Sequence, residues 1–260
     1  MTNQAGLDEL LEFAVDLGRR AGDITLKYFK KDPETSKKAD GTFITIADRE
    51  TEAFLREGIL NQFPDDGILG EEEGESKGES RRRWIVDPID GTFSFVHGVP
   101  FYGVLIGIEI DGRPSVGVIN MPALDEIVYA ATNLGCFWNG KRARVSSTAS
   151  LDEALLLCTD FGACRPHGFG SAGEELQRLA RSSRTWGDCY GYVLVATGRA
   201  DVMLDPVMNV WDCAALLPVI EEAGGTFTDW RGERTVTGGN AIATNGVLFD
   251  EVMGIVSEYR

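Results

Sequence analysis

The run Trp84-Ile85-Val86-Asp87-Pro88-Ile89-Asp90-Gly91-Thr92 constrains this chain more than any other stretch. Trp84 to Val86 read as the end of a buried strand, and Pro88, which cannot donate to a ladder, is predicted to stop it. Two carboxylates three positions apart then stand where a strand breaks into a turn. Gly91 and Thr92 leave backbone N–H groups just beyond. Converging carboxylates beside free amides suit hard cations that bridge to a phosphate. The same residues also suit a strand end followed by an Asx-type turn and a helix cap. Taken alone, the stretch leaves both readings open.

The pattern around it is that of a layered protein. Leu7, Leu10, Leu11, Ala14, Val15, Leu17, Ala21, Ile24 and Tyr28 recur at helical spacing, so residues 7–30 are predicted as an amphipathic helix. Lys30 to Asp40 reads as a charged connection. Thr42 to Ile46 is a short extended piece, and Thr45 or Asp48 caps a helix that runs to about Phe63. Ile68-Leu69 is a brief strand, and Glu75 to Arg83, polar and Gly/Ser-rich, reads as a mobile loop. From Tyr102 the period changes to two. Strands over 102–110 and 115–120 are joined at Asp111-Gly112, and two more over 127–131 and 136–138 precede Asn139-Gly140. Residues 1–140 therefore read as an α+β unit of helices on an antiparallel sheet. Residues 141–260 alternate strands near 154–158, 200–204, 226–229 and 241–244 with helices near 173–180, 189–197 and 211–223, and with a last helix from Leu248. This half reads as an α/β unit.

The formal net charge of −16 argues against a nucleic-acid binder, which needs a basic face, and against anionic membrane surfaces. It leaves an anionic small-molecule substrate open, because bound divalent cations reverse the local sign. The amino terminus lacks a basic, then apolar, then small-residue pattern, and no run of 18 apolar residues occurs, so a cytoplasmic location is expected. Five scattered cysteines without a Cys-x-x-Cys, and two histidines, make a Cys/His zinc site an unlikely design; packed, reduced thiols are expected.

Acids also stand beside turns at Glu71-Glu72 and at Asp212. A site for Mg2+ assembled from strand ends and a helix start needs such dispersed ligands. Gly70-Glu71-Glu72, Asp87-Pro88-Ile89-Asp90-Gly91-Thr92 and Trp211-Asp212 resemble, in order, the signature motifs of the inositol monophosphatase family of metal-dependent phosphatases. Asp40-Gly41-Thr42-x-Ile44-Thr45-x-Ala47-Asp48, Asp205 and Glu221-Glu222-Ala223-Gly224-Gly225 fit the same family. Phe43 and Ser94, where the family often has Pro and Asn, depart from it without touching a ligand position. The resemblance implies an αβαβα sandwich with the cleft between the two halves, and a homodimer. It also implies two or three Mg2+ ions: Glu71, Asp87 and the carbonyl of Ile89 on the first, and Asp87, Asp90 and Asp212 on the second. By the same resemblance Gly91 and Thr92 meet the phosphate, while Thr92 and Asp48 orient and deprotonate the attacking water. Lys38 matches a basic position of the family, and a solvated lysine explains it as well.

The substrate is expected to be a small phosphate ester. Arg184-Thr185-Trp186-Gly187-Asp188-Cys189-Tyr190-Gly191 is similar to the histidinol-phosphate phosphatase branch, whose step lies in histidine biosynthesis. Asp188 and Asp205 would complement the ammonium and imidazole of that ester, and Arg184 would balance the acids or contact phosphate. Caps for the adjoining helix and turn explain the two aspartates as well. Inositol 1-phosphate, or another small ester such as a sugar bisphosphate or a nucleotide 3′-phosphate, is the rival substrate, and a regulatory binding protein is the rival class. The complete set of Asp48, Glu71, Asp87, Asp90, Thr92 and Asp212 argues against the latter. His97, His167, Trp186 and Cys189 are read as packing or surface residues.

Overall fold

The computed structural model describes residues 4–31, 35–37 and 43–259. Helix α1 (Gln4–Tyr28) buries Leu7, Leu10, Leu11, Ala14, Leu17 and Ala21, the stripe its spacing predicts. The charged connection after it contains a strand that the sequence does not announce. There β1 (Thr35–Lys37) pairs antiparallel with β2 (Phe43–Thr45). All three β1 side chains are exposed, so no apolar alternation marks the strand. Lys38 and Asp40-Gly41-Thr42 lie outside the described residues. Helix α2 (Ile46–Gln62) starts at a capping box: the Thr45 hydroxyl accepts from Ala47 N–H, and Asp48 returns a carboxylate to the Thr45 N–H and hydroxyl.

The first sheet has eight strands: β3 (Gly67–Gly70), β4 (Gly74–Ser76), β5 (Arg82–Asp90), β6 (Gly103–Ile110), β7 (Arg113–Met121), β8 (Glu126–Ala131), β9 (Gly135–Trp138) and β10 (Lys141–Arg142), with α3 (Thr92–Val96) leaving the end of β5. Their order is β10-β9-β8-β7-β6-β5-β3-β4. The antiparallel expectation holds except between β3 and β5, which run parallel. The hairpins turn at Asp111-Gly112 (φ 52° and 72°) and Asn139-Gly140 (φ 47° and 79°), the paired positive φ of a type I′ turn.

Two expectations fail in this sheet. Pro88 does not stop the strand. The ladder to β6 passes from Asp87 opposite Leu105 to Asp90 opposite Gly103, so two residues on β5, Pro88 and Ile89, face one on β6. Pro88 sits inside that bulge, where a missing N–H costs no ladder bond. The 75–83 stretch is not a loose loop either. Buried Asp66 accepts from Ser80 Oγ, Arg82 Nε and Trp84 Nε1, and the Asp65 carbonyl accepts from Glu79 and Ser80 N–H.

The second sheet contains β11 (Leu155–Cys158), β12 (Ser182–Arg184), β13 (Val202–Asp205), β14 (Thr226–Thr228) and β15 (Ala241–Thr244) in the order β12-β11-β13-β15-β14. Strand β11 runs parallel to β12 and β13, and the remaining pairs are antiparallel. Its helices are α4 (Phe161–Cys164), α5 (Gly170–Leu179), α6 (Asp188–Ala196), α7 (Val210–Cys213), α8 (Leu216–Glu222) and α9 (Phe249–Glu258). Helices α1 and α2 cover the outer face of the first sheet, α6 and α8 lie between the sheets, and α5 and α9 cover the outer face of the second. This is the αβαβα sandwich.

Helix α6 shows why the middle layer holds. Tyr192, Val193, Leu194, Val195 and Ala196 are all buried, as in a helix walled on both sides, and each large apolar side chain contributes roughly 1.5–3 kcal/mol. The single helix predicted over 211–223 is two pieces, α7 and α8, with Ala214 and Ala215 between them. Pro218 has no N–H to give the Ala214 carbonyl. At this break the backbone presses on the sheet: a Cβ on Gly107 would lie 2.7 Å from Ala214 C, and one on Gly117 would lie 2.1 Å from Ala215 O. All five cysteines are free and buried. No described helix is long and apolar enough to cross a membrane.

Candidate active site

Three chain segments bring four acids to one cleft. Asp87 and Asp90 flank the bulge of β5, Asp212 lies in the first turn of α7, and Glu71 follows β3. Asp87, Asp90 and Asp212 each offer a carboxylate oxygen within 4.8 Å of the others. Glu71 lines the same cleft and stands close enough to share a hydrogen bond with Asp87. The backbone orients each group. Asp87 accepts from Ile89 N–H at 3.0 Å, Asp90 from Cys189 N–H at 2.5 Å, and Asp212 from Asn209 N–H at 2.6 Å.

The electrostatics of this cluster are one-sided. Burial, then the charges of Glu71, Asp90 and Asp212, push the Asp87 carboxyl well above the ordinary range. Burial, then Asp188 and Asp212, do the same to Asp90. Asp212 is pushed up to about 7, chiefly by loss of solvent. Among the described residues lining the cleft, Lys37 is the one cation, and its Nζ lies 5.4 Å from the Phe43 ring centroid. Lys37, which falls in the charged connection after α1, is therefore a cleft residue. Buried carboxylates this close must be neutralised by protons or by cations. An all-oxygen set with backbone-fixed acids fits a hard divalent ion.

Asp48 is fully buried and its two oxygens differ. Oδ2 is held by Thr45, while Oδ1 has no hydrogen-bond partner among the described residues. Burial pushes its carboxyl up to about 6, against the lowering effect of the Thr45 hydrogen bonds. The Thr92 hydroxyl donates to the Ile89 carbonyl at 2.9 Å, so a direct Thr92–Asp48 hydrogen bond is not part of this arrangement. Gly91 has φ 82° and packs so tightly that an added Cβ would lie 2.8 Å from the Phe101 carbonyl and 2.9 Å from Asp188 Oδ2. Only glycine suits both demands.

Beside the 550 Å3 cleft lies a 170 Å3 cavity walled by Thr159, Asp160, Asp205, Val207 and Met208, with Asp90, Asp188 and Asp212 shared between the two. Together they have the size of a small-ligand site. Asp188 enters α6 at φ 51°, a conformation unusual for a residue with a side chain; its N–H donates to Thr159 Oγ1 and Ser94 Oγ donates to its carboxylate. Burial pushes it up to about 6. Asp205 is 3% exposed and already accepts from Thr159 N–H and the Tyr192 hydroxyl; burial pushes it up to about 7. Arg184 does not join this group. It is exposed at the end of β12, donates to the Ser183 carbonyl and lines neither the cleft nor the cavity. Thr159 is missed by the sequence reading because a lone threonine at a strand end carries no signal.

The chain is similar to known proteins over nearly its whole length. The family model described as the inositol monophosphatase family matches residues 6–260. The histidinol-phosphatase of Chlorobaculum parvum is 43% identical over 90% of this chain and 91% of its own length. That of Mycobacterium tuberculosis is 40% identical over 95% of this chain and 96% of its own. The solved structure of the Thermotoga maritima IMPase superposes with a TM-score of 0.88 at 33% identity, covering 96% of this chain and 98% of that one. With the acid cluster, the bulged β5 and the layered sandwich all in place, the chain belongs to the inositol monophosphatase family of phosphatases.

Proposed function

We propose that this phosphatase hydrolyses histidinol phosphate, and that it does so with Mg2+ held by Glu71, Asp87, the Ile89 carbonyl, Asp90 and Asp212. One observation carries the choice of ester. The cavity next to the acid cluster is walled by Asp160, Asp188 and Asp205, and no described cation lines it. A cationic alcohol fits such a wall, whereas a neutral polyol calls for hydroxyl-bonding groups. The names of the Chlorobaculum and Mycobacterium relatives point the same way. Inositol 1-phosphate is the second reading, supported by the likeness to the Thermotoga IMPase.

When bound, divalent ions would offset the phosphate charge and acidify the attacking water. The chain's own groups then divide the work. Asp87 would hold cations, and its Asx-type bond to Ile89 N–H fixes its direction. Gly91 and Thr92 offer backbone N–H groups to the phosphate at the start of α3. Thr92 orients the water. Asp48 receives the proton on Oδ1, the oxygen that no other described group uses, and a carboxyl at about 6 is matched to a base working near neutrality. Asp188 faces the leaving alcohol, and Asp205 sets the charge of the cavity floor from behind Tyr192 and Thr159. The enzyme acts in this reading as a cytoplasmic homodimer.

The test is phosphate release from a panel of esters with Mg2+. Histidinol phosphate is expected to turn over fastest. Faster release from inositol 1-phosphate would reject the ester and leave the phosphatase in place.

A further inference from the structure

Helix α2 carries two buried acids one turn apart, Asp48 and Glu52, and the reaction as derived uses only the first. Glu52 is fully buried. Its Oε2 accepts from Glu72 N–H at 2.7 Å, and its Oε1 accepts from Glu73 N–H at 3.0 Å and from Arg56 Nε at 2.9 Å. Arg56 continues outward to the Gly74 carbonyl and to Ser76 Oγ. The whole β3–β4 turn, Gly70 to Gly74, is thus fastened to α2 by one carboxylate and the guanidinium behind it. Gly70 is shaped for the contact: a Cβ there would lie 2.2 Å from Glu52 Oε1.

We propose that Glu52 is a positioning residue, whose buried carboxylate grips the two amides following Glu71 and so presents Glu71 to the cations. The inference rests on the proposed cation-holding role of Glu71. The physical argument is one of preorganisation. A carboxylate on an unsupported turn must be ordered each time an ion binds, and Glu52 supplies that order beforehand. Because Asp48 stands on the same helix, the grip also fixes the distance between the proton acceptor and a cation ligand.

The test measures binding of Mn2+ alone to the full-length, ester-free protein by calorimetry. In Glu52→Gln one amide loses its acceptor and meets an NH2 group, so Mn2+ affinity is expected to fall about tenfold. Ile59→Val, a destabilising change on the same helix, should lower the melting temperature and leave Mn2+ affinity alone. Equal affinity in wild type and a folded Glu52→Gln overturns the proposal, as does an affinity loss that Ile59→Val reproduces. Should Glu52→Gln fail to fold, hydrogen exchange on metal-free wild type decides. Protected Glu72 and Glu73 amides support the grip, and exchange at the rate of exposed amides overturns it. Wild type that binds no Mn2+ removes both the metal reading and this one. Wild type that binds Mn2+ but hydrolyses no ester removes the functional reading alone.

Discussion

On the side of the cleft proposed to hold cations, acids are aimed by their own neighbours: Asp87 by Ile89, Asp48 by Thr45 and Asp212 by Asn209, each two or three positions away. On the cavity side the partners are distant. Asp188 N–H reaches Thr159 across 29 positions, Asp205 is held by Thr159 across 46, and Cys189 N–H crosses 99 to reach Asp90. The first kind of site is a property of short motifs and travels with them. The second exists only once two sheets and a helix have met. Chemistry held locally and selectivity held at long range suit a family that keeps one reaction and changes its alcohol.

Substitutions on the two sides should therefore fail differently. The largest effect is expected from Asp90→Asn, which touches both sides: phosphate release from every ester should fall by more than ~100-fold, beyond the loss typical of outer partners. Activity near wild type would remove Asp90 from the cation set. Next is Asp188→Asn, where asparagine tolerates the positive φ as well as aspartate does. It should lower kcat/KM for histidinol phosphate about tenfold while sparing inositol 1-phosphate. Equal losses on both esters would erase the distinction between the two sides. Smaller again is Thr159→Val, which keeps the shape and removes the acceptor for Asp188 N–H. A loss of about 1–3 kcal/mol in unfolding free energy is expected, with a raised KM and little change in the metal requirement.

The smallest effect concerns pH. Asp188 and Asp205 sit near about 6 and about 7 when folded, against an ordinary 3.8. Their raised values mean that the folded state holds their protons more tightly. The stability this confers is fully present below 3.8 and is lost as pH rises through those values. Metal-free protein should therefore melt at lower temperature at pH 7 than at pH 4. Asp205→Asn should reduce the difference by roughly 2–4 °C in thermal scans. A difference unchanged by the substitution would show that Asp205 does not titrate as its surroundings demand.

The same division explains what the sequence reveals. The α1 stripe, the two type I′ hairpins and the Thr45 cap depend on residues within a turn of one another, and they are found where the pattern puts them. The acid motifs are legible for that reason. Strand β1 is missed because its three exposed residues carry no alternation. Pro88 misleads because a bulge removes the demand for its N–H. The packing that the break between α7 and α8 makes possible is hidden because it involves Gly107 and Gly117, about a hundred positions upstream. Arg184 looks like an anion contact in a string of letters, yet strand β12 carries it to the exposed edge of its sheet.

That break has a further meaning. Gly107 and Gly117 are the floor on which Ala214 and Ala215 rest, and Asp212 stands two residues earlier. The thickness of those two strands therefore acts as a caliper, setting how near Asp212 is brought to Asp87 and Asp90. A single methyl group at either glycine would open the jaws from outside the cleft, at a residue that lines none of it.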